Sequence, residues 1–317
     1  MSNRSNDQGR AYEYITLVTL HTEISKIRKA EIVQNSSLKA AKDAWDNMNN
    51  NMQQLLAVSA TSFVPEIFDL EPLILEDDGD SVELLIQKDN KGEEGDVRDI
   101  LIVRSGIEWE IGLSMKHNHF AVKHSRLSHK IDFGKKWYDV SCSEHYWQSV
   151  LPIFEYLQKQ KAKGKAWSEL TDKVGEVYIP LLNAFIEELR NAYAGHKELP
   201  QKMVEYLLGE YDFYKVVSID NKSLTQINSF NLHGTLNKNG KRHKATSTIP
   251  QVLLPTRIVN LDFKPESSNT VELYMDGGWQ FSFRIHNAST MVESSLKFDI
   301  QIVGMPTTIV TINCRWK

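Results

Sequence analysis

Residues 96–126 read DVRDILIVRSGIEWEIGLSMKHNHFAVKHSR. Asp99 opens an apolar run, Ile100 to Val103, a turn follows at Ser105-Gly106, and a second run ends at Lys116. An acid and a lysine at neighbouring strand ends are the residue types for metal-assisted hydrolysis. A hard cation such as Mg²⁺ takes carboxylate and carbonyl oxygens. An ammonium group beside it orients water and balances charge on a phosphorane. The candidate catalytic residues are therefore Asp99, Ser114 and Lys116, and the candidate metal ligands are Asp99, Asp96, Glu13 and Met115.

Two strands must position these groups. The second alternates strictly: Glu108, Glu110, Gly112, Ser114 and Lys116 on one face, Trp109, Ile111, Leu113 and Met115 on the other. The first is apolar on both faces and reads as buried in a sheet. With Ser105-Gly106 as a two-residue hairpin loop, Arg104 pairs with Ile107. Asp99 then falls opposite Gly112, on the face of Ser114 and Lys116, and Asp96 falls opposite Met115 on the other face. A bulge would reverse that choice.

An Asp at a strand start followed by x-Lys on the next strand resembles the PD-(D/E)-x-K nuclease motif. Arg98-Asp99 stands for its first half and Ser114-Met115-Lys116 for its second. Ser114 puts a hydroxyl where the motif has a carboxylate. Glu110 does not replace it, since four residues along a strand span about 13 Å. Glu13 is the candidate replacement, from the first turn of a helix over 11–33, where the helix dipole accounts for an acid equally well.

Composition sets the frame. The chain has 317 residues, 41% hydrophobic and 25% charged, an ordinary globular balance. Its two cysteines, Cys142 and Cys314, are in no zinc-like spacing and fit a reducing cytoplasm. The polar N-terminus has no signal core, and no apolar run is long enough for a membrane. Net charge is −4, but it is unevenly spread. Residues 76–96 are acidic. Residues 113–136 carry Lys116, Lys123, Arg126, Lys130, Lys135 and Lys136 against Asp132 alone. Residues 233–244 carry Lys238, Lys241, Arg242 and Lys244 with no acid. Two basic stretches on a mildly acidic chain suit a clamp on nucleic acid. His117, Asn118, His119, Lys123, His124, Ser125, Arg126, Lys241 and Arg242 are candidate DNA contacts. A solvated helix face is the plainer reading of the first run.

The pattern predicts helices over 11–33 and 37–60, with Ser37 as N-cap and a break at Asn47 to Asn51. A short apolar connection follows over 63–75, then a strand over 82–87 and an acidic loop over 89–95. Residues 143–209 read as helical: 144–163 ended by Gly164, 167–193 broken at Pro180, and 200–208 stopped by Gly209. A strand covers 213–219. From 252 onward the pattern is all strand, with a hairpin signal at Asp276-Gly277-Gly278. Arg257, Arg284, His286 and Asn287 are expected to be exposed there as base-reading candidates. The fold class is α+β: a PD-(D/E)-x-K nuclease-like mixed sheet flanked by helices, with a C-terminal β-rich region. The expected division is a helical and nuclease core over 1–215, with the catalytic hairpin at 96–116 and the helical region at 143–209, and a β-rich recognition part over 216–317.

GRAYEY at 9–14, RDILIV at 98–103, GLSMKHNHFAVKHSRLS at 112–128, LLGEYDFYK at 207–215 and GGWQFSFRIHNAS at 277–289 followed by SLKFDIQI resemble the HaeIII-type family of type II restriction endonucleases. The matching segments span nearly the whole chain. The resemblance implies a Mg²⁺-dependent enzyme that cuts double-stranded DNA at GGCC to blunt ends, with a cognate DNA methyltransferase as genetic partner. A symmetric site implies two-fold symmetry, as in a homodimer on DNA. Two other readings stay open. Ser114 favours a nuclease-like fold that binds specific DNA without cutting it. A carbohydrate- or protein-binding β-domain over 250–317 on a helical scaffold is the third.

Overall fold

The computed structural model describes residues 4–88 and 95–317. The chain runs through α1 (Arg4–Ile24), β1 (Ala30–Ile32), α2 (Ser36–Asp46), α3 (Asn50–Leu70), β2 (Val82–Ile86), β3 (Ile100–Arg104), β4 (Trp109–His117) and β5 (Ala121–Ser128). It continues through α4 (Phe133–Tyr138), α5 (Glu144–Ala162), α6 (Ile179–Gly195), α7 (Leu199–Leu208), β6 (Phe213–Ile219) and β7 (Leu224–Phe230). It ends with β8 (Ile258–Phe263), β9 (Thr270–Met275), β10 (Gln280–His286), β11 (Ser295–Gly304) and β12 (Thr311–Arg315). The fold is mixed α and β, with a central sheet, flanking helices and a β-rich C-terminal part.

Among the described residues the strands form two sheets, a seven-stranded one in the order β1-β2-β3-β4-β6-β7-β12 and a five-stranded one in the order β5-β11-β10-β9-β8. Two compact units follow from this: residues 1–120, 210–253 and 307–317, and residues 121–209 and 254–306. They interleave along the chain, so a single division at residue 215 does not describe them. The reason is pairing. β6 lies parallel to β4, which returns the chain to the first sheet after the helical region, and β12 adds to β7.

In the first unit one face of the sheet is apolar. Ile100, Ile102, Ile111, Leu113, Met115, Tyr214, Val216 and Ile227 join α1 and α3 in a core with Tyr12, Leu17, Leu20, Phe63, Val64 and Ile67. Each of these is a period-two or period-3.6 position. α1 stops at Ile24 rather than running to 33, because residues 30–32 pair in parallel with Val82–Leu84. Asn35, not Ser37, caps α2, its side chain accepting from Leu38 N–H. The asparagine cluster does separate two helices, and Asn49 caps the second. That helix runs through Pro65 to Leu70, where the sequence pattern predicts a connection. Proline removes one backbone bond, while burial of Phe63, Val64, Ile67 and Leu70 on one face more than offsets it.

The second unit is built around aromatic rings. Phe133 and Trp137 of α4 meet Phe185 of α6, and Trp137 also stacks on Phe283 of β10. Ser143 caps α5, the break expected at Pro180 is the first turn of α6, and Gly209 ends α7 as the sequence pattern predicts, with φ 90°. β9 and β10 pair around Asp276–Gly278. The basic run after Lys116 is not a helix face: from Ala121 it is a strand paired with β11. The β-rich C-terminal part is not one sheet either, since β7 and β12 belong to the first sheet and β8–β11 to the second. The acidic loop expected over 89–95 lies outside the described residues except for Gly95.

Candidate active site

The β3–β4 turn takes four residues, not two. Ser105–Ile107 form a 3-10 turn, Glu108 adopts φ 51°, and Arg104 pairs with Trp109. Ile100 faces Leu113, and Asp99 N–H donates to Leu113 O at 2.8 Å. One step further out, Asp99 is level with Ser114 instead of Gly112. The register moved by two, and side chains alternate with period two, so every residue kept its face.

The result is a tight cluster on Asp99. Its Oδ2 accepts from Met115 N–H at 2.6 Å, from Lys116 Nζ at 3.1 Å and from Ser114 Oγ at 3.4 Å. Ser114 is buried, whereas Asp99 and Lys116 are partly open, their side chains 26% and 21% exposed. Among the described residues the Oδ1 atom of Asp99 accepts no hydrogen bond.

A third strand contributes a group that the sequence reading passed over. Ser114 of β4 pairs with Lys215 of β6, which pairs in turn with Asn228 of β7, and Asn228 with Thr311 of β12. Asp99, Ser114, Lys215, Asn228 and Thr311 thus form one polar row across the sheet, on the face away from the apolar core. Lys215 is only 2% exposed. Burial first, and the charge of Lys116 second, push its pKa well below the ordinary lysine range, with Asp99 acting in the opposite direction. The signal was a lone lysine in the otherwise apolar centre of FYKVVSI.

Asp96 is committed elsewhere. Arg98 forks onto its carboxylate through Nε and Nη2, both at 2.8 Å, and reaches Glu110 at 2.8 Å through Nη1. Gln87 donates to Asp96 as well. Burial pushes the Asp96 pKa up, but the Arg98 and Gln87 hydrogen bonds outweigh it and hold the carboxyl below its usual range. The Arg98 stem lies on Gly112: a Cβ there would sit 2.1 Å from Arg98 Cδ and 2.7 Å from its Cβ. Gly112 is therefore the surface on which the residue preceding Asp99 is seated.

Glu13 is half buried in α1. Since α1 begins at Arg4, Glu13 is beyond the first turn, and the helix dipole no longer accounts for it. Among the described residues no group of three His, Cys, Asp or Glu side chains is placed to hold a metal ion. Mg²⁺ does not require one. It is commonly bound through one or two carboxylates, with waters and substrate phosphate oxygens completing the shell. A part-exposed carboxylate with an open Oδ1 beside a hydroxyl fits that pattern.

The proposed DNA contacts scatter. His117 is buried, and its Nε2 lies 2.8 Å from Asp220 Oδ2, which also accepts from Asn118 Nδ2 at 2.8 Å. Asn118 has φ 59° and accepts Asp220 N–H in return, so the pair locks β4 to the β6–β7 turn. His119 follows Asn118 in the same unit.

The remaining candidates of that run lie on β5 in the second unit. There Lys123 Nζ donates to Tyr206 O and sits 3.8 Å from that ring's centroid, and Ser125 is buried beside Tyr206. Arg126 donates to Ser295. The side chain of His124 lies outside the described residues.

Lys241 and Arg242 are exposed in a loop whose backbone N–H groups donate to buried Glu76. Arg257 and Arg284 are exposed as expected, while His286 and Asn287 are half buried, His286 bonded to Asn287 O and Asn287 to Ser289 O and Tyr178 OH.

The HaeIII restriction endonuclease family model matches residues 9–306. The type II restriction enzyme HaeIII of Haemophilus aegyptius is 52% identical over 318 residues, covering 100% of both chains. No solved structure matches. The family model runs through β3, β4, β6 and β7 with Asp99, Ser114, Lys215 and Asn228, the relative also covers β12, and the chain belongs to the HaeIII restriction endonuclease family.

Proposed function

We propose that this type II restriction endonuclease hydrolyses double-stranded DNA at GGCC, between the central G and C, with Asp99 and Lys116 as the catalytic pair. The observation that carries the reading is the cluster on Asp99: an open carboxylate, a hydroxyl from Ser114 and an ammonium from Lys116 at 3.1 Å, on one face of the sheet. Asp99, assisted by the Ser114 hydroxyl, would hold Mg²⁺. Bound there, Mg²⁺ supplies positive charge to the phosphate oxygens and a more acidic water.

Lys116 has its amine on the same carboxylate. It is placed to turn onto a phosphate oxygen and balance charge in the transition state. Met115 contributes backbone: its N–H fixes the carboxylate rotamer. Asp96 serves Arg98 and holds the strand entry, not the cation. A blunt cut in a palindrome needs the same bond broken on both strands, and two copies related by the two-fold of the site would present one such centre to each strand. Protection of host DNA by a cognate methyltransferase follows from the same reading, as does action in the cytoplasm. Among the described residues no helix is long and apolar enough to cross a membrane.

Ser114 supports a second reading, a sequence-specific binder that does not cut. Plasmid digestion with Mg²⁺ and with EDTA, followed by end mapping, separates the two. The nuclease gives a Mg²⁺-dependent ladder with blunt ends at GGCC. Intact plasmid beside a specific gel shift selects the binder.

A further inference from the structure

We infer that Lys215 is a second lysine of the reaction centre, a positioning residue that sets where Lys116 points when the cation arrives. The inference rests on the assignment of Asp99 and Lys116 above. A lysine that is only 2% exposed in the middle of a sheet is costly to the fold. Its register places it beside Ser114, on the face of Asp99 and Lys116, and it interacts electrostatically with both.

That position meets a specific need. Lys116 now sits on Asp99 Oδ2, the carboxylate that a cation needs. It must leave that oxygen and turn outward to the phosphodiester. On the β4–β6 side the space is taken by Lys215 and by Val217, the register partner of Lys116. The direction left to Lys116 is outward, toward the open side of the row. The next residue in the row, buried Asn228, is itself held by Thr311 Oγ1 at 2.9 Å, so Lys215 is backed by a fixed amide.

The test uses Lys215→Met and Lys215→Gln in the full-length protein. The readouts are the single-turnover cleavage rate, the Mg²⁺ concentration for half-maximal rate, DNA binding in Ca²⁺ and the thermal melt. Displacing a catalytic group by an ångström costs about 10²-fold in rate, and a loss of that size is expected in both variants. Half-activation should move to severalfold higher Mg²⁺, because Lys116 would compete longer for Asp99. Binding in Ca²⁺ and a cooperative melt should persist. Cleavage within about threefold of wild type at all Mg²⁺ concentrations overturns the inference. So does loss of binding and melt in both variants, which would assign Lys215 to the fold alone. If Asp99→Ala still cuts, it is the underlying assignment that has failed.

Discussion

The end of β4 on the polar face of the first sheet and strand β5 of the second come from one basic stretch of sequence, yet they behave differently. On the first sheet, Asp99, Ser114, Lys116 and Lys215 share a face through register alone. On β5, each described polar side chain is engaged by its own unit: Lys123 by Tyr206, Ser125 by Tyr206, Arg126 by Ser295. A strand's alternation tells which residues stand together. A run of charge tells nothing about which partner each member has found. The grouping of side chains was legible in the first region for that reason, and the partners of each side chain were not legible in the second.

The predictions that break or sharpen this contrast begin with the largest. Lys116→Met should lower single-turnover cleavage by about 10²- to 10³-fold, the loss typical of one charge-stabilising donor. Lys123→Met should leave the rate within a few-fold. Equal losses in the two variants would erase the contrast.

Gly112→Ala comes next. Its Cβ meets not the tip of Arg98 but its stem, down to Cβ at 2.7 Å, so the backbone before Asp99 must shift. Overpacking of this kind costs about 1–3 kcal/mol, and cleavage should fall with stability. An unchanged melt would show that Arg98 moves aside freely.

A third effect is a pH dependence. Glu71 is fully buried beneath the basic loop, accepts Tyr214 OH at 2.6 Å and Asn237 N–H, and burial raises its pKa from 4.5 to about 7. Below 4.5 both folded and unfolded chains hold the proton. Between 4.5 and about 7 only the folded chain keeps it, so this contribution to stability is lost as pH rises through that window. At about 1.36 kcal/mol per pKa unit the change is about 3 kcal/mol. Glu71→Gln should flatten the slope in chemical denaturation across this range; an identical slope would contradict the assignment.

The smallest effect concerns the loop. Neutralising Lys238, Lys241, Arg242 and Lys244 should lower the salt slope of DNA binding by at most about 0.9 for each phosphate that these cations neutralise. An unchanged slope would place the loop off the DNA.

Particular residues show how far the sequence could be read. The Asp99–Ser114–Lys116 grouping survived a wrong turn length because the error was even. A one-residue error would have sent Asp99 to the core. The helix through Pro65 was missed because a local breaker was read without the burial of Phe63 and Ile67 that outweighs it. Lys215 was missed because an apolar strand was read as core throughout, and its neighbour Ser114 lies about a hundred residues earlier in the chain. The same distance hid Asp220 as the partner of His117 and Asn118. Sequence-local patterns carry faces and caps. They do not carry pairings made between strands separated by a whole helical region.

The most direct test is Asp99→Ala, assayed side by side for cleavage in Mg²⁺ and for specific DNA binding in Ca²⁺. The cluster on its Oδ2 predicts cleavage abolished and binding retained, since in the proposed role the carboxylate would hold the cation and Lys116 but no base. Full cleavage by the variant would contradict the account and move the catalytic centre off this face of the sheet.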